Sequence, residues 1–119
     1  MGYRGEIIYL KVYCKLIEIV ENSETINYRK IGDMMGLPPG QNMGKQVGII
    51  CDEINQDEHI NRRPMLSAVV IRKDWGMPGD GFFKCANNLG KFKGGTDEEK
   101  YSFWKNELKS VYKIWSRII

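Results

Sequence analysis

The sequence predicts an α+β domain of the winged helix-turn-helix class. Three observations favour it: two helical patterns flank a glycine–proline turn at residues 36–40, a β-branched run follows at 65–72, and a second apolar run follows at 82–86. The expected order is helix, short strand, helix, turn, helix and β-hairpin wing, then a long C-terminal helix. At 119 residues the chain is expected to form one domain, residues 1–119.

The first helix is predicted from about Gly5 to Val20. Its apolar residues almost encircle it, leaving only Lys11, Lys15 and Glu18 as a polar stripe. Because a helix that is apolar on most sides is buried on most sides, we expect it to pack against two neighbours or against a second subunit. The second arrangement would be a homodimer through this helix.

A short strand is expected over residues 25–27, and a second helix over residues 28–35. Gly36 would end that helix as a left-handed residue. A third helix is predicted over about residues 41–56, because apolar residues recur at helical spacing. These residues are Met43, Val47, Ile50 and Ile54.

The third helix contains two glycines on its more polar face, Gly44 and Gly48. Each costs a helix about 1 kcal/mol relative to alanine. Glycines at such positions permit a close approach to the backbone, which would come either from another helix or from a nucleic-acid duplex.

The β-hairpin is predicted over about residues 65–86. Its first strand is the run from Met65 to Arg72, its tip is rich in turn formers, and its second strand is Phe82 to Ala86. The C-terminal helix is predicted over about residues 97–118, capped by Thr96 or Asp97. Its expected core stripe is Tyr101, Trp104, Leu108, Val111 and Trp115.

Composition excludes several classes of protein. The apolar fraction of 42% is sufficient for a core, and no run approaches the roughly 20 apolar residues of a membrane span. Cys14, Cys51 and Cys85 form no Cys-x-x-Cys pair, so we expect buried free thiols in a cytoplasmic protein rather than disulfides or a metal site. No motif for a cofactor is present.

The charge distribution indicates a phosphate-facing surface. Residues 62–93 contain seven Lys or Arg against two Asp, whereas residues 46–61 contain four acids and no Lys or Arg. The start of the third helix offers side chains of the types that contact base edges, and two other segments offer side chains suited to phosphate. The predicted base-facing residues are Asn42, Lys45 and Gln46, and the predicted phosphate-binding residues are Tyr28, Arg29, Lys30, Arg72 and Lys73.

A family resemblance is carried by three motifs. They are Ile26-Asn27-Tyr28, the helix end Gly36-Leu37-Pro38, and the run Met43-Gly44-Lys45-Gln46-Val47-Gly48. They resemble the DNA-binding domain of alkylguanine-DNA alkyltransferases and alkyltransferase-like proteins, over about residues 25–83 of this chain. The resemblance implies that Tyr28 contacts phosphate and that Lys45 stands where the family has an arginine that enters the base stack.

The resemblance does not extend to the family's reactive motif. Where the family has Pro-Cys-His-Arg, this chain has Pro64 followed by Met65-Leu66-Ser67-Ala68. Because alkyl transfer needs an activated thiolate, that activity is not expected. The chain also resembles a set of short uncharacterised bacterial proteins that share Arg-x-x-Leu-Ser-Ala-Val-Val and Pro-Gly-x-Gly-Phe-Phe, which names no function.

The leading hypothesis is a non-catalytic protein that binds double-stranded DNA, with the third helix in a groove and the hairpin as wing. The alternative is a protein-binding or small-ligand-binding accessory or inhibitor protein, for example of a mobile element. A third hypothesis is an enzyme acting through a pocket that contains His59, Arg62, Arg63 and Asp80.

Overall fold

The computed structural model describes residues 2–116, and within them it contains five α-helices and one pair of short strands. The helices are α1 (Ile7–Glu21), α2 (Tyr28–Met34), α3 (Gln41–Ile60), α4 (Asp80–Asn88) and α5 (Asp97–Trp115). The strands are β1 (Ile26–Asn27) and β2 (Val70–Ile71), and a 3₁₀ turn, Leu66–Val69, leads into β2. No helix of this part of the chain is long and apolar enough to cross a membrane.

The prediction of a β-hairpin wing is wrong. The two strands pair in parallel, with Ile26 opposite Val70 and Asn27 opposite Ile71. A parallel pair requires a long crossover between its strands, which α2 and α3 provide here. The fold is therefore mostly helical, and the winged helix-turn-helix class does not describe it.

The second predicted strand of the hairpin forms α4 instead. Phe82, Phe83, Cys85 and Ala86 are buried, and this spacing covers one face of a helix. Asp80 lies in the first turn, where a carboxylate interacts favourably with the helix dipole. A short apolar run does not by itself separate a strand from a helix, which is why the prediction failed at this point.

The β-branched run at residues 65–72 is only partly extended. All four residues of the 3₁₀ turn Leu66–Val69 are buried, and the turn packs against α1, α3 and α5. The indole Nε1 of Trp104 donates to the carbonyl oxygen of Ala68 at 2.8 Å. Because residues 66–69 form a 3₁₀ turn, only Val70 and Ile71 of this run take part in a sheet.

Helix α1 is less buried than its composition predicted. One face is buried through Tyr9, Val12, Leu16, Ile19 and Val20. On the other face the side chains of Ile7 and Leu10 are 72% and 63% exposed. Cys14 is exposed as well, which corrects the expectation of three buried thiols; Cys51 and Cys85 are buried.

The remaining helices lie close to their predicted bounds. Gly36 follows α2 with a φ of 74°, as expected of a left-handed residue that ends a helix. The apolar stripe of α3 is buried as predicted, and α3 continues to Ile60. In α5, Tyr101 is 51% exposed rather than buried. The last predicted residues of this helix, 117 and 118, lie outside the described residues.

An ion pair joins the end of α3 to the following loop. Glu58 is completely buried, and its Oε2 accepts from Arg63 Nε at 2.5 Å. The hydroxyl of Tyr13 on α1 donates to the same carboxylate, and the Arg63 guanidinium lies 5.3 Å from the ring centroid of Trp115. One buried carboxylate thus connects α1, α3 and α5.

Candidate functional site

A cavity of about 420 Å³ lies between α3, β2 and the beginning of α4. We call it the glycine cavity, because five of its lining residues are glycines: Gly40, Gly44, Gly48, Gly79 and Gly81. The other lining residues are Tyr28, Gln41, Val47, Cys51, Asp52, Ser67, Val70, Ile71, Arg72, Pro78 and Phe82.

The glycine face of α3 is not in contact with another part of the described chain. A Cβ placed at Gly44 or at Gly48 meets no atom within 4 Å, and the same holds for Gly81 on α4. The sequence suggested that these glycines permit the approach of a helix or a duplex. No helix of the described chain approaches them, so they border open space.

Ser67 and Asp52 are the polar lining residues beside the apolar walls of the glycine cavity; Tyr28, Gln41 and Arg72 also line it. The Oγ of Ser67 accepts from Asn55 Nδ2 at 2.7 Å, and its backbone N–H donates to Asn55 Oδ1 at 3.0 Å, so this serine is held in the core. The Asp52 carboxyl is half-buried. No cation contacts Asp52 among the described residues.

Desolvation dominates the electrostatics of the glycine cavity. Burial raises the pKa of the Asp52 carboxyl, and the hydrogen bond from Cys85 acts in the opposite direction. Burial also raises the pKa of the Cys51 and Cys85 thiols to about 12 each. Neither thiol is therefore activated as a nucleophile near neutral pH.

A second cavity, of about 870 Å³, adjoins the first. We call it the cationic cavity, because it is lined by Arg29, Lys30, Arg72 and Lys73. Its other lining residues are Asn27, Tyr28, Asp33, Pro39, Gly40, Met43 and Asp74. Tyr28, Gly40 and Arg72 line both cavities and thus lie at the junction between them.

The parallel strand pair creates the cationic cavity. Pairing of Asn27 with Ile71 places the start of α2 beside the residues that follow β2. The side chain of Asn27 caps α2 by accepting from the backbone N–H of Arg29 at 2.9 Å. The guanidinium of Arg72 lies 4.5 Å from the ring centroid of Trp75, which restricts its position at the junction.

Five of the eight residues predicted to bind DNA line the cationic cavity. These are Tyr28, Arg29, Lys30, Arg72 and Lys73. The three predicted base-facing residues line neither cavity. Of these, Asn42 and Lys45 are exposed, whereas Gln46 is half-buried. With 3.6 residues per turn, Lys45 lies about 60° around α3 from Gly48, so it borders the cavity face.

The N-terminal segment, residues 2–6, crosses α3 on another side and was missed at the sequence level. The hydroxyl of Tyr3 donates to Gln46 Oε1, and its backbone N–H donates to Glu53 Oε1 at 2.6 Å. Arg4 Nε lies 3.1 Å from Asp57 Oδ1. Three of the four acids of α3, Glu53, Asp57 and Glu58, are thus paired within the protein.

The residues of the enzyme hypothesis do not meet in a cavity. None of His59, Arg62, Arg63 and Asp80 lines the glycine cavity or the cationic cavity. Arg63 is bound to the buried Glu58, and Asp80 Oδ1 lies 3.7 Å from the Nζ of Lys100. Two of the four residues, Arg63 and Asp80, are therefore engaged in ion pairs away from both cavities.

Asp52 was not among the residues predicted to form a site. The sequence shows it only as one of the four acids of residues 46–61, whereas in the structure it lines the glycine cavity. The sequence contained a signal of this position, because Gly40, Gly44, Gly48 and Asp52 recur every four residues along one side of α3.

Comparison with known proteins adds no assignment: no protein-family model, curated protein or solved structure matches the chain.

Proposed function

We propose that this chain is a non-catalytic DNA-binding protein that holds phosphates in the cationic cavity. The observation that carries the proposal is the convergence of two cationic segments that are distant in sequence. Arg29 and Lys30 come from the start of α2, and Arg72 and Lys73 follow β2. Grouped Lys and Arg side chains are the usual means of neutralising the nucleic-acid backbone.

The electrostatic surroundings of the cavity support the same proposal. Asp74, one of its two acids, has Oδ1 3.4 Å from Arg72 Nε, so among the described residues Asp33 is the lining acid that forms no ion pair. Lys45 is exposed at the edge of the neighbouring cavity face. The proposal keeps Tyr28 and Lys45 in the roles implied by the alkyltransferase resemblance, and it contains no wing.

The test is a salt series of duplex-binding titrations by fluorescence anisotropy. Lys30→Gln and Lys73→Gln should each weaken binding and reduce the slope of log K against log salt by about 1, because each removes one phosphate contact. Lys109→Gln, at an exposed position of α5, is the matched control and should leave the slope unchanged. Equal slopes for all three variants and the unmodified protein would reject the proposed surface.

A second candidate is a protein-binding accessory protein, with a homodimer through α1 as its simplest form. The favouring observation is the exposed apolar pair Ile7 and Leu10, at 72% and 63% exposure. Light scattering over a concentration series tests it. A mass that rises toward a dimer and returns to the monomer in Leu10→Lys supports this candidate, and a monomer at all concentrations rejects the homodimer.

A further inference from the structure

The glycines of α3 have no role in the packing of the described chain. Gly44 and Gly48 together cost the helix about 2 kcal/mol relative to alanine. Helix packing does not explain this cost, because a Cβ at either position meets no atom within 4 Å. What the glycines provide is a flat wall of exposed backbone along the glycine cavity.

The remaining walls of the glycine cavity suit a thin apolar body. Val47 and Val70 are buried branched side chains, and Phe82 is a buried aromatic ring. The volume of about 420 Å³ lies within the range of about 300–1,000 Å³ that is usual for small-molecule sites. A planar ring fits such walls better than a branched chain, because one wall is helix backbone without side chains.

The Asp52 carboxyl specifies which groups the edge of the ring should carry. The Asp52 carboxyl lines the cavity and is half-buried, and among the described residues it forms no ion pair. A half-buried carboxyl retains further acceptor capacity, which N–H donors of a ligand can satisfy. At the junction, Arg72 and Tyr28 are donors available to a polar substituent on the ring.

We propose that the glycine cavity binds a planar heteroaromatic ring that carries amino or ring N–H donors, with these donors facing the carboxyl of Asp52. The ring lies along the backbone at Gly44 and Gly48. Two sources carry this chemistry: a free small molecule, and a base within a nucleic acid. The inference does not depend on the proposed function, because a free ring requires no contact with the cationic cavity.

The first experiment uses 2-aminopurine riboside as probe and purine riboside, which lacks the amino group, as its matched ligand. Calorimetric titration should give saturable binding of the amino compound, and at least about tenfold weaker binding of purine riboside. Asp52→Asn should weaken binding of the amino compound by about tenfold and reduce the difference between the two ligands. Glu98→Gln, an exposed acid on α5, is the control and should bind as the unmodified protein does.

A second pair of variants tests the position of the ring. Gly48→Leu places a side chain in the open space of the cavity and should abolish binding, whereas Asn106→Leu at an exposed position of α5 should not. Gly44→Leu provides a second filling variant should Gly48→Leu fail to fold, as judged by circular dichroism. Binding that persists in a folded filling variant would overturn the proposal.

A third experiment distinguishes the two sources. A duplex with a single 2-aminopurine should show increased fluorescence if the protein takes the base out of the stack, and Gly48→Leu should remove that increase. Binding of the free riboside, or this signal in the duplex, supports the proposal and identifies the source. The absence of both results would overturn the proposal. Lys30→Gln should leave binding of the free riboside unchanged. A failure of the DNA proposal can therefore be distinguished from a failure of the ring-binding proposal.

Discussion

Replacement of Gly48 by alanine is expected to stabilise the protein. In a helix interior, alanine is favoured over glycine by about 1 kcal/mol, partly because the unfolded chain loses freedom. The new Cβ meets no atom within 4 Å, so no steric penalty offsets this gain. For a domain of this size, about 1 kcal/mol corresponds to an increase in Tm of about 3–6 °C.

Gly32→Ala is the matched comparison in α2. Its new Cβ would lie 2.4 Å from both the Cγ and the Sδ of Met43, a buried side chain that would have to shift. Overpacking of this kind typically costs about 1–3 kcal/mol, which exceeds the gain in helix propensity. We therefore expect Gly48→Ala to raise the free energy of unfolding and Gly32→Ala to lower it.

Urea denaturation followed by far-UV circular dichroism and by tryptophan fluorescence measures both changes. Coincident transitions from the two probes would establish two-state unfolding and justify comparison of the free energies. A lower stability of Gly48→Ala would refute the reasoning, because it would mean that the cavity face of α3 is closed or occupied in solution.

Two further predictions concern contacts that the structure reveals. Arg63→Gln should lower the free energy of unfolding by about 3 kcal/mol, because it leaves the completely buried Glu58 without its ion-pair partner. The neighbouring exposed Arg62→Gln should change this free energy little, and equal effects of the two variants in urea denaturation would contradict this account. Thr96→Ala should lower the free energy of unfolding by about 1 kcal/mol, because the Thr96 Oγ1 accepts from the third N–H of α5 in a capping box. Thr25→Ala, at an exposed loop position, is its control in thermal unfolding. Matching Tm values for the two variants would exclude a capping contribution.

The helices of this chain were largely predictable, because a helix is specified by contacts between residues three and four apart. The buried stripe of α3, the left-handed Gly36 and the capping of α5 at Thr96 all follow from such local patterns. Helix α4 was missed for a local reason too: a run as short as Phe82–Ala86 satisfies both a strand and a helix.

The candidate site was only partly predictable. The phosphate-binding residue types were recognised in two separate segments, and the structure places both segments at the cationic cavity. The three predicted base-facing residues do not form one free group, because Gln46 accepts a hydrogen bond from Tyr3 of the N-terminal segment. The sequence contained no indication of that contact, since it joins positions 43 residues apart.

Local spacing was sufficient to place most of the helices, the glycine-rich side of α3 and the cationic character of two segments. Three-dimensional packing alone determined that β1 and β2 pair in parallel and that an open cavity lies beside those glycines. The physical reason is the range of the interactions involved. Helix spacing and capping act within a few residues, whereas a parallel pair and a cavity require segments more than forty positions apart to meet.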